Sequence, residues 1–357
     1  MKSPAKTRHV QVTDKIRERI RSGELKPGER LPSYNEIRAQ EGVHTNTLEK
    51  VYAKLELEGL IVRRRGSGTF VAQFTKPAPT ATGIIGLSGK AFRFDGYSPY
   101  WAQLQGGAHE AVTRAGRQLL ILEPTRSKGW EKADGALICD WNDNLRPRKD
   151  LPGLPQVSLM TALKGMSSVT ADDYKGMRLA TEYLVSLGHR KIAYLHGNLS
   201  SQIIRNRFRA FQDVLKETDI DLDPAWTRFI PGKYDYGVHI SSRAKLAMSR
   251  WLKQGWSALG CTALLCHNDE AAVGAIQALN AKGIRVPQDI SVMGFDGTEY
   301  CDLVSPRLSS VQLPLREIGA QAVELLLKQI TMDEVSGEHQ VLPPQLRVRE
   351  STAAPSL

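Results

Sequence analysis

The sequence has no long hydrophobic run, since no stretch approaches the 18 consecutive apolar residues typical of a transmembrane helix. The basic segment 1–10 is followed by no apolar segment, so we do not expect a secretory signal. Only four cysteines occur and none forms a CxxC motif, which predicts buried free thiols in a reducing cytoplasm. We predict no metal site, because Cys266 and His267 have no second ligand pair at a matching spacing.

Acidic residues are fewer than basic residues, and the imbalance is concentrated near the N-terminus. The chain has 48 Lys and Arg against 38 Asp and Glu, a net charge of +10. Residues 1–72 contribute 15 basic and 9 acidic residues, so more than half of the excess lies in the first fifth of the 357 residues. This asymmetry favours a module that binds a polyanion joined to a nearly neutral module. A solvated basic tail gives the same charge pattern.

Residues 1–72 show three segments of helical periodicity followed by two short β-rich segments. The predicted helices cover about 12–23, 33–40 and 45–58, and the predicted strands cover 60–62 and 69–71. Ser33 and Glu36 fit a capping box at the start of the second helix. The turn between the strands reads Arg-Arg-Arg-Gly-Ser-Gly. This order predicts a winged helix-turn-helix whose third helix fits the major groove of DNA. A helical interaction domain with a solvated charge run is the alternative.

Three motifs in this region occur together in one known family. Segment 23–33 reads G-x-L-x-P-G-x-x-L-P-S, segment 58–61 reads E-G-L-I, and segment 65–71 reads R-G-x-G-T-F-V. In combination they closely resemble the GntR family of bacterial transcription regulators. The resemblance implies a dimer that binds a roughly palindromic DNA operator.

The residues expected to contact DNA lie on the second and third helices and on the wing. They are Ser33, His44, Thr45, Asn46, Thr47, Lys50, Arg63, Arg64, Arg65, Gly66 and Gly68. Asn46 is suited to reading adenine and Thr47 to bonding a phosphate, while helix capping or a surface role is the alternative for each. The family commonly carries arginines where this chain has Asn35, Thr45 and Glu49. The usual operator core of the family is therefore not predicted for this chain.

The region from 84 to 357 alternates strand-like and helical segments, after a linker predicted at 73–83 from its Pro, Thr and Ala content. The predicted strands are 84–87, 119–122, 135–139, 192–195, 227–230, 263–266 and 290–294, and the predicted helices are 101–115, 175–186, 207–217, 238–254 and 270–281. Such alternation predicts parallel sheets with helices on both faces. Because about 270 residues exceed one sheet, we expect two α/β lobes with a cleft between them. Ligands in such folds bind beyond the carboxyl ends of the strands.

The loops at those strand ends carry aromatic, amide, carboxylate and guanidinium groups, including Ser98 and Arg205. Aromatic rings cover the C–H faces of a neutral polyol, and the polar groups bond its hydroxyls. Local roles are the alternative: Asp269 can cap the helix that follows it, and Arg207 can bridge surface carboxylates.

Several motifs between residues 84 and 349 look like the effector domain of LacI/GalR regulators. They read P-Y-W at 99–101, L-G-H-R-K-I-A at 187–193, N-D-x-x-A-x-G at 268–274, G-I-R-V-P-x-D-I-S-V-x-G-F-D at 283–296 and S-P-x-L at 305–308. The resemblance implies a two-lobed, periplasmic-binding-protein-like fold that binds sugars or, in some members, nucleobases. From the loops and the resemblance together, the expected effector-binding residues are Tyr97, Tyr100, Trp101, Arg207, Tyr234, Asn268 and Asp296.

Two departures from the LacI/GalR pattern affect the expected ligand. Gly297 stands where relatives have a second aspartate, and loop 160–168 has no aspartate contact. Thr161 and Lys164 are candidate replacements in that loop, and Lys164 keeps an acidic or phosphorylated ligand open.

A GntR-type head joined to a LacI/GalR-type body resembles hybrid regulators of the arabinose-repressor type. We therefore expect a cytoplasmic, homodimeric transcription regulator without a cofactor: a repressor whose operator affinity is controlled by a small carbohydrate. A sugar phosphate or nucleobase ligand, and activation or corepression, are the alternatives. An enzyme is disfavoured, because His267 and Asp269 form the one tempting acid–base pairing and are poorly placed to cooperate. A transport-type binding protein is disfavoured by the DNA-binding head.

Overall fold

The structure is a computed structural model that describes residues 8–21, 24–25, 28–32, 36–38, 42–57, 61–64, 68–71, 82–89, 98–124, 129–139, 153–163, 165–231, 240–332 and 337–356. These residues form two compact units, which we call the head (described residues up to 71) and the body (described residues from 82 onward). Every helix within these ranges is too short or too polar to span a bilayer.

The head combines helices with a two-stranded antiparallel sheet. Its elements are α1 (Arg8–Arg21), a helical turn at 36–38, α2 (Thr45–Leu57), β1 (Ile61–Arg64) and β2 (Gly68–Val71). One face of α1 buries Val12 and Ile16, and one face of α2 buries Leu48, Val51 and Leu55. These apolar stripes meet in a single small core, as their helical spacing predicts.

Residues 28–31, before the helical turn, pack along the hairpin. Arg30 bridges Phe70, the amide of Leu31 donates to the carbonyl of Thr69, and the amide of Val71 donates to the carbonyl of Glu29. The segment therefore supplies backbone partners to the outer edge of β2, which would otherwise be unpaired.

The first lobe of the body is a six-stranded parallel sheet. Its strands are β3 (Ile84–Ser88), β4 (Gln118–Leu122), β5 (Gly135–Ile138), β6 (Gln156–Ser158), β7 (Ser167–Ala171) and β13 (His339–Leu342), in the spatial order β13-β7-β6-β5-β3-β4. Two helices belong to this lobe, α3 (Pro99–Arg114) and α10 (Leu315–Met332), and they pack against each other. Close approach is enforced at Gly319, where a Cβ would lie 2.2 Å from the carbonyl oxygen of Leu104.

The second lobe is also built on six strands. They are β8 (Ile192–His196), β9 (Thr227–Phe229), β10 (Ala263–Cys266), β11 (Ser291–Asp296), β12 (Ser309–Gln312) and β14 (Gln345–Arg347), in the order β14-β12-β11-β10-β8-β9, with β14 antiparallel to β12. Its helices are α4 (Asp173–Ser186), α5 (Gln202–Glu217), α6 (Ile240–Lys253), α7 (Trp256–Leu259), α8 (Asp269–Asn280) and α9 (Tyr300–Leu303). The chain passes between the lobes after β7, after β12 and after β13, so both lobes are built from separated stretches of sequence.

Alternate side chains on the strands of the second lobe serve two different cores. Tyr194 and Leu265 face the core under α4 and α5, whereas Leu195 and Leu264 face the core under α6 and α8. This alternation explains why the inner strands β8 and β10 are apolar at nearly every position, as is typical of parallel strands covered on both faces.

The expected two-lobed architecture is confirmed, with differences at the ends of elements. Helix α5 begins at Gln202, five residues before the predicted start at 207. Strands β6, β7, β12, β13 and β14 and helices α7, α9 and α10 were not predicted. Of the four thiols, Cys261 is half-buried and the other three are buried, and all four are free.

Candidate functional site

The exposed face of α2 carries the polar residues expected to contact DNA. His44, Thr45, Asn46 and Lys50 are exposed and Thr47 is half-buried, while the opposite face of the helix lies in the core. The carbonyl of His44 accepts bonds from the amides of Thr47 and Leu48, so His44 caps the helix through its backbone. Its side chain remains at the surface. The structure thus brings these residues together at the N-terminal end of one helix.

Arg63 lies against α2 rather than facing outward. Its guanidinium is 3.2 Å from a carboxylate oxygen of Glu56 and 4.0 Å from one of Glu49, and it lies 5.8 Å from the ring centroid of Tyr52. These contacts connect β1 to α2. The expected contact of Arg63 with DNA stays a prediction.

Arg30 is a residue of this surface that the sequence alone did not indicate. It is exposed, and its guanidinium lies where a side chain at Gly68 would be, with Nε 2.7 Å from the position of a Cβ. Gly68 also has φ +113°, a conformation that favours glycine. The glycine thus allows a cation to pack on the base of the wing.

Several expected contact residues lie outside the described residues. They are Ser33, Arg65, Gly66, Tyr97 and Tyr234, together with Lys164 and the side chain of Arg64.

A buried guanidinium organises the carboxyl ends of the strands in the second lobe. Arg207 is 2% exposed, and its Nε donates to Asp173 Oδ1 at 2.8 Å while Nη1 donates to the carbonyl of His267 at 2.5 Å. Its Nη2 lies 2.7 Å from Asp173 and 3.3 Å from Asp296. The alternative that Arg207 bridges surface carboxylates is wrong, because Asp296 is buried and the side chain of Asp173 is only 11% exposed. Burial alone would lower the pKa of Arg207, but Asp173 and Asp296 raise it.

Asp296 is held beside this guanidinium in an unusual backbone conformation. It ends β11 with φ +108°, which side-chain-bearing residues rarely adopt. Its Oδ1 is close enough to Arg207 for an ion pair but is not aligned for a hydrogen bond, so this buried oxygen has no hydrogen-bond partner. Burial raises the pKa of Asp296 well above its usual value, and Arg207 opposes that rise. Strain and an unsatisfied acceptor at one residue are typical of a binding site.

The glycine after Asp296 explains the departure from the LacI/GalR pattern at this position. Gly297 has φ +71°, and a Cβ there would lie 2.5 Å from the Cα of Gln312. A second aspartate therefore does not fit this backbone.

The first lobe contributes an aromatic pair and a hydroxyl to the same region. Tyr100 is 9% exposed and packs edge-to-face on Trp101 with ring centroids 5.2 Å apart. Burial, followed by the carboxylates of Asp296 and Asp173, raises the pKa of Tyr100. Ser98 Oγ donates to Glu270 Oε1 at 3.3 Å and thereby connects the two lobes directly.

Asn268, and not Asp269, caps helix α8. Asn268 Oδ1 accepts the amide of Ala271, and its amide nitrogen takes no part in the cap. The expectation that Asp269 caps this helix is wrong. Its carboxylate accepts from the amide and hydroxyl of Thr298 and from the hydroxyl of Ser310, all at 2.5–2.8 Å. Asp269 therefore fixes the loop after β11.

Four buried polar atoms at the carboxyl ends of parallel strands have no hydrogen-bond partner among the described residues. They are Thr161 Oγ1 after β6, Ser201 Oγ after β8, His267 Nδ1 after β10 and Asp296 Oδ1 on β11. Nearly all buried polar groups in proteins are paired, and each unsatisfied one costs about 1–3 kcal/mol. Their common location makes them suited to bonding the hydroxyls of a small molecule.

The guanidinium of Arg207 lies between two carboxyl groups. They belong to Asp173 and Asp296, which both pair with it. The nearby imidazole of His267 is neutral, because burial, Arg207 and His196 lower its pKa to about 3. The part of the chain that the structure describes contains no group of three or more side chains suited to holding a metal ion.

Asp173 and the backbone of His267 are functional groups that the sequence reasoning missed. Asp173 is 34 residues before Arg207 in the chain and follows a strand that was not predicted. A signal was present in the pair Asp172-Asp173 before a helical segment, but it was equally consistent with helix capping, which Asp172 performs.

Each of the two units resembles a known protein family. Residues 8–71 match the family of bacterial regulatory proteins of the gntR type, and residues 181–352 match the periplasmic binding protein-like domain. The chain is 27% identical to an arabinose metabolism transcriptional repressor of Geobacillus stearothermophilus over 99% of both chains. It is 36% identical to a ribose operon repressor of Haemophilus influenzae over 49% of this chain and 50% of the relative.

Among solved structures, a LacI family transcriptional regulator from Enterococcus faecium with bound ribose superposes with a TM-score of 0.65. The match has 21% identity and covers 76% of this chain and 100% of that one, which supports the fold of the body. The named sequence relatives are transcription regulators, in agreement with the expectation that the chain is not an enzyme.

Proposed function

Because the chain joins a gntR-type DNA-binding domain to a periplasmic binding protein-like domain, we propose that it is a transcriptional repressor controlled by a small neutral carbohydrate. The observation that carries the ligand assignment is the pair of unsatisfied buried polar atoms, His267 Nδ1 and Asp296 Oδ1, on two residues that contact Arg207 at the strand ends of the body. The names of the relatives, which refer to arabinose and ribose, and the ribose-bound structure support a monosaccharide as the first candidate.

The charge of the cluster supports a neutral ligand over a phosphorylated or acidic one. The guanidinium of Arg207 is already matched by two carboxyl groups, so it has no surplus positive charge for a third anion. A sugar hydroxyl instead donates to Asp296 Oδ1 and gains a charge-assisted bond. Tyr100 and Trp101 supply apolar ring surface for the C–H groups of the sugar. A nucleobase is the alternative that a ligand screen separates.

On the head, we propose that the exposed start of α2 reads base edges in the major groove. His44, Thr45, Asn46 and Thr47 approach the bases, Lys50 contacts the DNA backbone, and the wing with Arg64 contacts phosphates or the minor groove. A homodimer in the cytoplasm would present two such heads to a palindromic operator.

The proposed control is thermodynamic linkage between the two ligands. The carbohydrate favours the form of the body in which Ser98 of the first lobe bonds Glu270 of the second. In a dimer this form holds the heads at a spacing that does not fit the operator. A coupling free energy of about 1–3 kcal/mol changes operator affinity about 5- to 150-fold.

Operator affinity with and without sugars tests this function. Operators are first selected from a random DNA library, and binding is then measured by fluorescence anisotropy against a panel of pentoses, hexoses, disaccharides, sugar phosphates and nucleobases. We expect a neutral monosaccharide to weaken binding within the stated range. Tighter binding would establish corepression or activation, and a response to sugar phosphates alone would contradict the neutral-ligand assignment.

A further inference from the structure

A second pocket lies at the outer edge of the second lobe, away from the cluster around Arg207. It has a volume of about 250 Å³ and lies where the edge strand β9 meets the end of α6. Its polar side chains are Thr227, Arg228 and Gln254, and the ring of Trp251 forms one wall. The pocket shares no lining residue with the ligand cluster, by which we mean Arg207, Asp173 and Asp296 at the opposite, carboxyl ends of the strands.

Arg228 is the charged group of this pocket. Its Nε is buried without a hydrogen-bond partner, and its guanidinium lies 5.3 Å from the ring centroid of Trp251. None of the residues that line the pocket is acidic, and no described carboxylate pairs with Arg228. The Trp251 ring is fixed in turn by edge-to-face packing on Trp256, with centroids 4.8 Å apart. The pocket is therefore lined by a guanidinium that has no acidic partner among the described residues.

The shape and chemistry of the pocket indicate the class of its ligand. A guanidinium presents a planar fork of donors that matches the oxygens of a carboxylate or phosphate. Thr227 donates its hydroxyl to the carbonyl of Pro224, so the exposed amide of Gln254 is the second side-chain donor. At Gly255, another lining residue, an added Cβ would meet no atom within 4 Å, so the pocket is open at this position.

We propose that this pocket is a second ligand site that binds a small oxyanion, a phosphate or a short carboxylate, through Arg228. The site goes beyond the proposed carbohydrate control, since it uses different residues and a ligand of opposite chemistry. It lies beside α6, which packs on α8, the helix capped by Asn268. An anion bound to Arg228 therefore stabilises an element that supports the carbohydrate site.

Thermal shift and intrinsic tryptophan fluorescence of the full chain test the proposal. Inorganic phosphate, acetate and succinate are titrated at constant ionic strength, which separates phosphate from carboxylate as the source. We expect a saturable rise in Tm of about 3 °C at ten times Kd. Arg228→Gln should raise the Kd at least tenfold, whereas Arg209→Gln, which changes an exposed arginine of the same lobe, should leave it unchanged.

Two further variants keep the test decisive if Arg228→Gln fails to fold. Gln254→Glu alters an exposed residue and places a carboxylate beside Arg228, so it should abolish oxyanion binding in a folded protein. Asp296→Asn should retain oxyanion binding, which separates this site from the carbohydrate site. Equal shifts in wild type and Gln254→Glu would overturn the proposal, and so would loss of binding in Asp296→Asn alone.

Discussion

Replacing Asp296 by asparagine removes one charge from the ligand cluster while keeping the shape of the side chain. Asparagine also tolerates the positive φ of +108° at this position better than most residues. The carboxylate offers an otherwise unpaired buried acceptor to a sugar hydroxyl. A hydrogen bond to a charged group contributes about 1.5–3 kcal/mol, so the carbohydrate Kd should rise about 10- to 150-fold.

The pH dependence of carbohydrate binding gives this prediction a second readout. Burial raises the pKa of Asp296 in the free protein well above the usual range. A ligand that donates hydroxyl protons to the carboxylate binds the ionised form, so affinity should fall as the pH is lowered through that raised pKa. In Asp296→Asn, the part of the fall in carbohydrate affinity at low pH that comes from this carboxyl group should disappear.

Isothermal titration calorimetry with the carbohydrate found in the screen measures both effects. Asp302→Asn is a matched control, because Asp302 is an exposed carboxylate of the same lobe that pairs with Arg349. Operator affinity without sugar should be unchanged in both variants. A folded Asp296→Asn protein with wild-type carbohydrate affinity would refute the role given to the unpaired oxygen.

Ser98→Ala removes the hydrogen bond to Glu270 that connects the lobes. We expect the carbohydrate Kd to rise about fivefold, which corresponds to about 1 kcal/mol. An unchanged Kd in calorimetry would show that the bond does not stabilise the carbohydrate-bound form. The pKa of His267 falls from 6.5 to about 3, mainly through burial, so the unfolded state binds a proton that the folded state excludes. The free energy of unfolding that this group contributes above pH 6.5 should therefore be lost on acidification, by about 2 kcal/mol at pH 5. Urea unfolding at pH 7 and at pH 5 should show a smaller fall in the free energy of unfolding for His267→Asn than for the wild type. An equal fall in both proteins would exclude His267 as the cause. Arg64→Ala should weaken DNA binding across all sequences and reduce the slope of log K against log salt by about one; unchanged affinity and slope in anisotropy titrations would remove the wing from the interface.

The architecture was largely predictable because both units rely on strong local patterns. The apolar stripe of α2 and the apolar runs of β8, β10 and β11 predict their elements within a few residues. Strand β7 reads Ser-Ser-Val-Thr-Ala, and its buried hydroxyls give no apolar signal. The first turn of helix α5 was not predicted, because residues 202–206 are mostly polar and show no helical periodicity of apolar residues.

The proximity of Arg207 and Asp296 was predictable from the strand ends on which they lie, but the contacts between them and their neighbours were not. The partner that orients Arg207 is Asp173, which comes close through the fold and not through the sequence. Asp269 bonds Thr298 and Ser310, which lie far along the chain, and this leaves the cap of α8 to Asn268. Long-range pairing of this kind is set by tertiary packing and leaves no periodic trace in the sequence.

The head shows the same limit at a single residue. Arg63 belongs to a run of three arginines that indicates DNA binding, but strand alternation turns it toward α2, where Glu49 and Glu56 pair with it. Charge composition therefore predicts affinity for DNA without identifying which arginine contacts it.

In the proposed function, a carbohydrate in the body and an operator on the head influence each other's binding. Linkage requires the effect to be reciprocal, so the most direct measurement is the carbohydrate Kd of the free protein and of the protein saturated with operator DNA. We expect operator DNA to weaken carbohydrate binding by the same factor, about 5- to 150-fold, by which the carbohydrate weakens operator binding. Equal carbohydrate affinity with and without operator would contradict the account.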